Sequence, residues 1–262
     1  GIRMSVTWTT DRLRGLFALA AGLCLSAFGW AGSASAVTCE TTSFEGNRYT
    51  ICTVAPAREE LRTFLYNPDG QPWGQFTALN GALQTKGEML SFAMNAGMYH
   101  ADRAPVGHYV EAGREQMRVI SNAGPGNFGL LPNGILCIRT RRADVIETRA
   151  FLRRKPRCRY ATQSGPMLVI DGELHPRFLP DSTSRYIRNG VGTSSDGREA
   201  AFVISENAVT FHEFGRLFQQ HLKMPQALFL DGNVSRIYAP QIGRSDIGRY
   251  LGPIVGVVEK TK

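Results

Sequence analysis

One carboxylate at the end of an apolar run is the first place to look for chemistry in this chain. Residues 227–231 read Ala-Leu-Phe-Leu-Asp, and Gly232 follows. A buried strand ending on Asp231 holds a short charged group still at the lip of a cleft. The bland reading, a strand closing in an Asp-Gly turn, fits the residue types equally well. Three further stretches set an apolar run beside a small-residue turn bearing Asn, Ser or Arg: FAMNAGMY at 92–99, QSGPMLVI at 163–170 and RYIRNGVG at 185–192. Any one of these is an ordinary turn. Four of them point to a common cleft.

Each candidate has a chemical reason. The Arg188 guanidinium fork matches two oxygens of a phosphate at once, with Arg185 as the alternative and a surface ion pair as the bland reading of both. Asn95 either hydrogen-bonds a sugar or ties its own loop. Glycines at 97, 165 and 190 let backbone N–H groups approach an anion closely. His100, Asp102 and His108 match no familiar metal-ligand spacing, so no metal and no cofactor is expected. His108 and Glu111, the latter on an expected strand at 107–111, are second-tier acid–base candidates. Ser164 lacks the G-x-S-x-G context of a hydrolase nucleophile.

These residues need a scaffold and a compartment. Residues 1–36 read as a secretory signal peptide: Arg12 and Arg14, an apolar run from Gly15 to Trp30, then Ala34-Ser35-Ala36. The run is shorter than the roughly 20 residues that span a bilayer, so no stable membrane anchor is expected after cleavage. Removing the leader takes away Arg3, Arg12, Arg14 and Asp11, and the net charge falls from +8 to +6. That balance favours anionic partners. Nucleic acid is disfavoured, because the basic run Arg153-Arg154-Lys155-Pro156-Arg157-Cys158-Arg159 carries no interleaved aromatics and reads as a solvated loop. Four cysteines remain after the leader, and an even count in an exported chain implies disulfides. Of the three connectivities, Cys39–Cys52 with Cys137–Cys158 is favoured, since the first pair flanks an expected hairpin turning at Glu45-Gly46-Asn47.

Along residues 37–262 strand-like runs dominate. Helices are expected at 76–89 and 211–222, the second opened by a capping box of Thr210 and Glu213. Turns are expected at Pro132-Asn133-Gly134, Asp171-Gly172 and Ser195-Asp196-Gly197. The expected fold is a single α+β domain, a strand-rich mixed sheet with a few packed helices.

The four stretches, Asn95-Ala96-Gly97-Met98-Tyr99, Gln163-Ser164-Gly165-Pro166-Met167-Leu168, Arg188-Asn189-Gly190-Val191-Gly192 and Leu230-Asp231-Gly232-Asn233-Val234-Ser235, occur in the order and spacing of a known family. Over residues 90–240 the chain resembles the phosphodiester glycosidases, whose animal members uncover mannose 6-phosphate by removing a capping N-acetylglucosamine. It is most similar to an exported bacterial branch. The resemblance implies a periplasmic or secreted hydrolase that cleaves the C1–O bond of a sugar-1-phosphodiester in the cell envelope. It favours the catalytic reading of Asp231, with Asn95 beside it. One departure stands out: members commonly have Asp-Gly-Gly-Gly-Ser where this chain has Asp231-Gly232-Asn233-Val234-Ser235. That departure motivates the alternative of a non-catalytic envelope protein that binds anionic glycans.

Overall fold

The computed structural model describes residues 37–231 and 234–262. The expected signal peptide and the turn residues Gly232 and Asn233, the second of them one of the two substituted positions, lie outside the described residues. Rather than one mixed sheet, the strands form three sheets in which every described pairing is antiparallel. The first has the order β1 (Val37–Phe44), β2 (Asn47–Val54), β13 (Ala200–Ser205), β12 (Asn189–Thr193), β14 (Gln226–Phe229), β10 (Met167–Ile170) and β11 (Glu173–Leu174). The second runs β16 (Arg244–Ser245), β15 (Ile237–Ala239), β4 (Glu88–Asn95), β17 (Ile254–Lys260) and β3 (Glu60–Phe64). The third runs β6 (Arg114–Met117), β5 (Tyr109–Glu111), β9 (Tyr160–Ser164), β7 (Gly134–Ile138) and β8 (Ala143–Glu147). This is a strand-rich α+β fold.

The three sheets share one core. Phe92 of β4 meets Phe202 of β13 with ring centroids 5.0 Å apart, and Leu136, Met167, Val191 and Val255 pack around them. Each such side chain contributes roughly 1.5–3 kcal/mol by leaving water. Every residue of β12 and of β13 is buried, which is why the second reads as an unbroken apolar run.

Three helices each cover the outer face of one sheet. Phe76, Leu79 and Leu83 of α1 (Phe76–Gln84) sit on the second sheet. Phe151 of α2 (Thr148–Arg154) sits on the third. Phe214, Leu217 and Phe218, from α3 (Phe211–Arg216) and its continuation, sit on the first.

The capping box forms as expected: Glu213 N donates to Thr210 Oγ1 at 3.1 Å, and Thr210 N donates to Glu213 Oε1 at 3.4 Å. The last turn then widens into a π-helix at Leu217–His221. The first helix is shorter than expected. It ends at Gln84, and Gly87, with φ of 73°, turns the chain into β4. Leu90 continued the apolar stripe because it packs in the same cluster from the strand.

The hairpin expected at Pro132-Asn133-Gly134 does not form. The Asn133 amide instead donates to Phe128 O at 2.9 Å, and its Oδ1 accepts from Thr148 Oγ1 at 2.7 Å. A turn-type residue is here used as a tertiary tie. The hairpin between β1 and β2 turns at Glu45-Gly46, both with positive φ, and places Cys39 directly opposite Cys52. Both favoured disulfides are present, Cys39–Cys52 and Cys137–Cys158.

Candidate active site

The site is built where two neighbouring strands of the first sheet end together. In the β12–β14 ladder Gly190 faces Phe229. Arg188, just before β12, and Asp231, just after β14, are thereby brought to one edge. Both line a cavity of about 700 Å³, with Tyr99, Arg103, Tyr186, Phe211, Arg249 and Tyr250 among its other walls. That volume suits a small ligand, and the charged lining is three arginines against one carboxylate.

Asp231 is 7% exposed and is held from behind. Its N–H donates to Asn189 Oδ1 at 3.3 Å, and Leu230 N donates to Asn189 O at 3.0 Å. The Ser235 hydroxyl lies 2.9 Å from Asp231 O and 3.1 Å from Asn189 Oδ1. Asn95 completes this network: its Nδ2 donates to Asn189 Oδ1 at 3.2 Å, and its Oδ1 accepts from Arg236 N at 2.8 Å. In return Asn189 Nδ2 donates to Asn95 O at 3.0 Å. Asn95 is fully buried and does not line the cavity. It joins Asp231 and Arg188 through Asn189, as a tie beneath the floor. Ser164 donates to Leu230 O and belongs to the same support.

Arg188 is an unusual cation. It is 2% exposed, and its guanidinium lies 3.8 Å from the Phe211 ring centroid, with Tyr186 and Phe229 also nearby. Nε donates to Val209 O at 2.8 Å and Nη2 to Ser184 O at 3.1 Å. Nη1 has no protein acceptor, and the group has no ion-pair partner, among the described residues. Burial pushes its pKa down to about 10, with Tyr186 and Glu213 partly opposing. It therefore stays protonated at neutral pH.

The opposite wall is a lattice of aromatics and arginines. Arg103 Nε donates to Tyr250 O at 2.9 Å, and its guanidinium sits 5.5 Å from the Tyr99 ring centroid. Arg236 donates to Arg249 O. Burial, and then the Asp231 carboxylate, raise the Tyr99 pKa, so its phenol keeps its proton beside that acid.

The remaining candidates lie elsewhere. Arg185 is exposed and ion-paired with Glu213. His108 is buried with Nδ1 2.9 Å from Met117 O and 3.3 Å from Glu115, and Glu111 accepts from the Tyr109 hydroxyl at 2.6 Å. Neither lines the cavity. Nor do the three glycines, which serve close packing instead. The Gly97 N–H donates to Thr162 Oγ1 at 2.9 Å, and a Cβ at Gly97 would fall 2.2 Å from Gln163 O. A Cβ at Gly190 would fall 2.7 Å from Leu228 O, and one at Gly165 2.8 Å from the Asn133 Cβ. Tyr99, Arg103, Tyr186, Asn189, Arg249 and Tyr250 were not anticipated as site residues. Tyr99, Asn189 and Tyr186 stand inside the four stretches. Arg249-Tyr250 carries no local signal, because long-range packing alone brings it to the site.

A family model for phosphodiester glycosidases matches residues 88–257, which takes in the cavity's Tyr99, Arg188, Asp231 and Tyr250. The chain belongs to the phosphodiester glycosidase family. Among members with curated sequences, the protein YigE of Escherichia coli K12, itself described as uncharacterized, is 34% identical over 186 residues, covering 71% of this chain and 72% of its own. Two solved structures share the fold. The catalytic domain of zebrafish N-acetylglucosamine-1-phosphodiester α-N-acetylglucosaminidase, auto-inhibited by its pro-peptide, superposes with a TM-score of 0.57 at 10% identity, covering 86% of this chain and 82% of that one. A hypothetical protein from Synechocystis gives 0.58 at 14% identity, again over 86% of this chain, which spans 62% of that protein's length. Membership in the phosphodiester glycosidases makes the chain a glycosidase of sugar phosphodiesters by family. Its two disulfides point to a compartment outside the cytoplasm. Among the described residues no helix is long and apolar enough to cross a membrane.

Proposed function

We propose that the chain is an exported hydrolase, periplasmic or secreted, that cleaves the C1–O bond of a glycosyl-1-phosphodiester in the cell envelope. The observation that carries this reading is Arg188: a buried, protonated guanidinium whose Nη1 has no acceptor among the described residues, on the wall of the cavity that also holds Asp231. A buried cation in direct contact with no carboxylate among the described residues is costly, and a phosphate in the cavity relieves that cost. The aromatic walls suit a sugar ring.

In this reading Arg188 takes two phosphate oxygens, and Asp231 faces the anomeric carbon. Water adds across the bond, its hydroxyl going to C1 and its proton to the departing phosphate. The leaving group is a phosphomonoester whose second pKa is about 6. It departs far more easily than an alkoxide, so no strong general acid is needed. Asp231 stabilises the oxocarbenium-like carbon or directs water toward it. Asn95 and Asn189 act by positioning Asp231.

The zebrafish relative's name specifies an α-N-acetylglucosamine-1-phosphodiester, which makes that compound the first substrate to try. Sugar release by wild type that collapses in Asp231→Asn supports the proposal. Absence of release, or equal release by the variant, rejects it, and solvent oxygen-18 recovered on phosphate rather than sugar rejects C1–O cleavage. The replacement of two family glycines by Asn233 and Val234 favours one second reading, an envelope protein that binds anionic glycans without turnover. Tight glycan binding with no product would establish it.

A further inference from the structure

A second cleft opens at the far ends of the same two strands. Thr193, the last residue of β12, faces Gln226, the first of β14. Around them lies a cleft of about 940 Å³. It sits five residues along β14 from Asp231, roughly 17 Å at strand spacing. Its walls come from α2, the turn joining β7 to β8, and the ends of β12 and β14. They carry five arginines.

The carboxylates of this cleft are already engaged. Asp144 pairs with Arg139 at 3.1 Å and with Arg142 at 2.8 Å. Glu147 caps α2 by accepting from Ala150 N at 2.9 Å, and Asp171 accepts from Gln226 Nε2 at 2.6 Å. Arg149, Arg153 and Arg154 are exposed on α2 with no acceptor among the described residues.

The ligand must then be anionic, to meet three exposed arginines that have no acceptor among the described residues. No aromatic residue lines the cleft. Single-stranded nucleic acid and stacked sugar rings have no platform there. A flexible acyclic chain with alternating phosphates and hydroxyls needs none. We propose that this cleft is a docking site for a polyol-phosphate polymer. It absorbs the basic run at Arg153-Arg154, and it stands whether or not the cavity performs the reaction proposed above.

The test uses fluorescently labelled poly(glycerol phosphate) and the mature chain, followed by anisotropy. Arg153→Gln/Arg154→Gln and Arg149→Gln change only exposed side chains, and their thermal unfolding is compared with wild type. The expected result is saturable binding by wild type and equal binding by Asp231→Asn. The double variant should bind about tenfold more weakly, the scale for losing two charge contacts, and Arg149→Gln severalfold more weakly. Release of GlcNAc from a small soluble diester should not change in these arginine variants. The proposal falls if wild type does not bind the polymer. It also falls if neither arginine variant weakens binding, or if dextran sulfate or a single-stranded oligonucleotide binds equally well, which would make the cleft a general cationic patch.

Discussion

The two ends of β12 and β14 treat arginine in opposite ways. At the cavity, Arg188 is stripped of water, stacked on Phe211 and fixed by two backbone carbonyls. At the far cleft, Arg149, Arg153 and Arg154 stand in solvent. A group that must meet charge developing in a reaction is preorganised and dry, because a fixed dipole or charge acts most strongly where water is excluded. A group that only holds a polyanion can stay solvated and gain through number. The carboxylates follow the same division. Asp231 is buttressed by Asn189, Ser235 and Asn95, whereas Asp144 is neutralised outright by two arginines.

The largest break in this contrast should come from Asp231→Asn, which keeps shape and removes charge. Sugar release is expected to fall on the order of a thousandfold in kcat, measured with the GlcNAc diester, with KM little changed. Arg188→Lys should follow at about a hundredfold in kcat/KM, because a point charge replaces a planar fork and the Val209 and Ser184 carbonyls lose their donor. An equally active lysine variant would show that position, not geometry, suffices. Asn189→Ala strands several buried donors and should cost about 2–3 kcal/mol in urea unfolding, with a drop in kcat that exceeds any change in KM.

A smaller effect concerns pH. Burial lowers the Arg188 pKa to about 10, so the folded chain gives up this proton before the unfolded chain does. Stability of the ligand-free protein therefore gains from this group as pH rises past about 10. Stabilisation by added inorganic phosphate should run the other way, present at neutral pH and lost above about pH 10. Melting temperatures with and without phosphate check both signs, and Arg188→Lys should lose the phosphate response if this residue is the receptor.

Much of the frame was readable because its signals are local. The β1–β2 hairpin rests on Glu45-Gly46, α3 on the Thr210–Glu213 box, and Asp231 on the apolar run that carries it to the edge. The errors share a cause. Asn133 has a turn residue's side chain but uses it on Phe128 and Thr148, and Gly97 offers backbone freedom but is needed for its missing Cβ. Arg185 and Arg188 are three residues apart with the same chemistry. Only the packing of Phe211 against β14 decides which is buried in the cavity wall and which pairs with Glu213 at the surface. The Arg249-Tyr250 wall depends on contacts to Arg103 and Arg236, far away in sequence.

The tight seat of Gly190 against β14 has a consequence for fidelity. Leu230 points into the core and Asp231 into the cavity, and adjacent side chains on an extended segment face opposite ways. Sliding β14 by a single residue past β12 would present a leucine where an acid belongs. The absent methyl at Gly190 thus acts as an alignment notch, deciding which of two neighbouring letters faces the cavity.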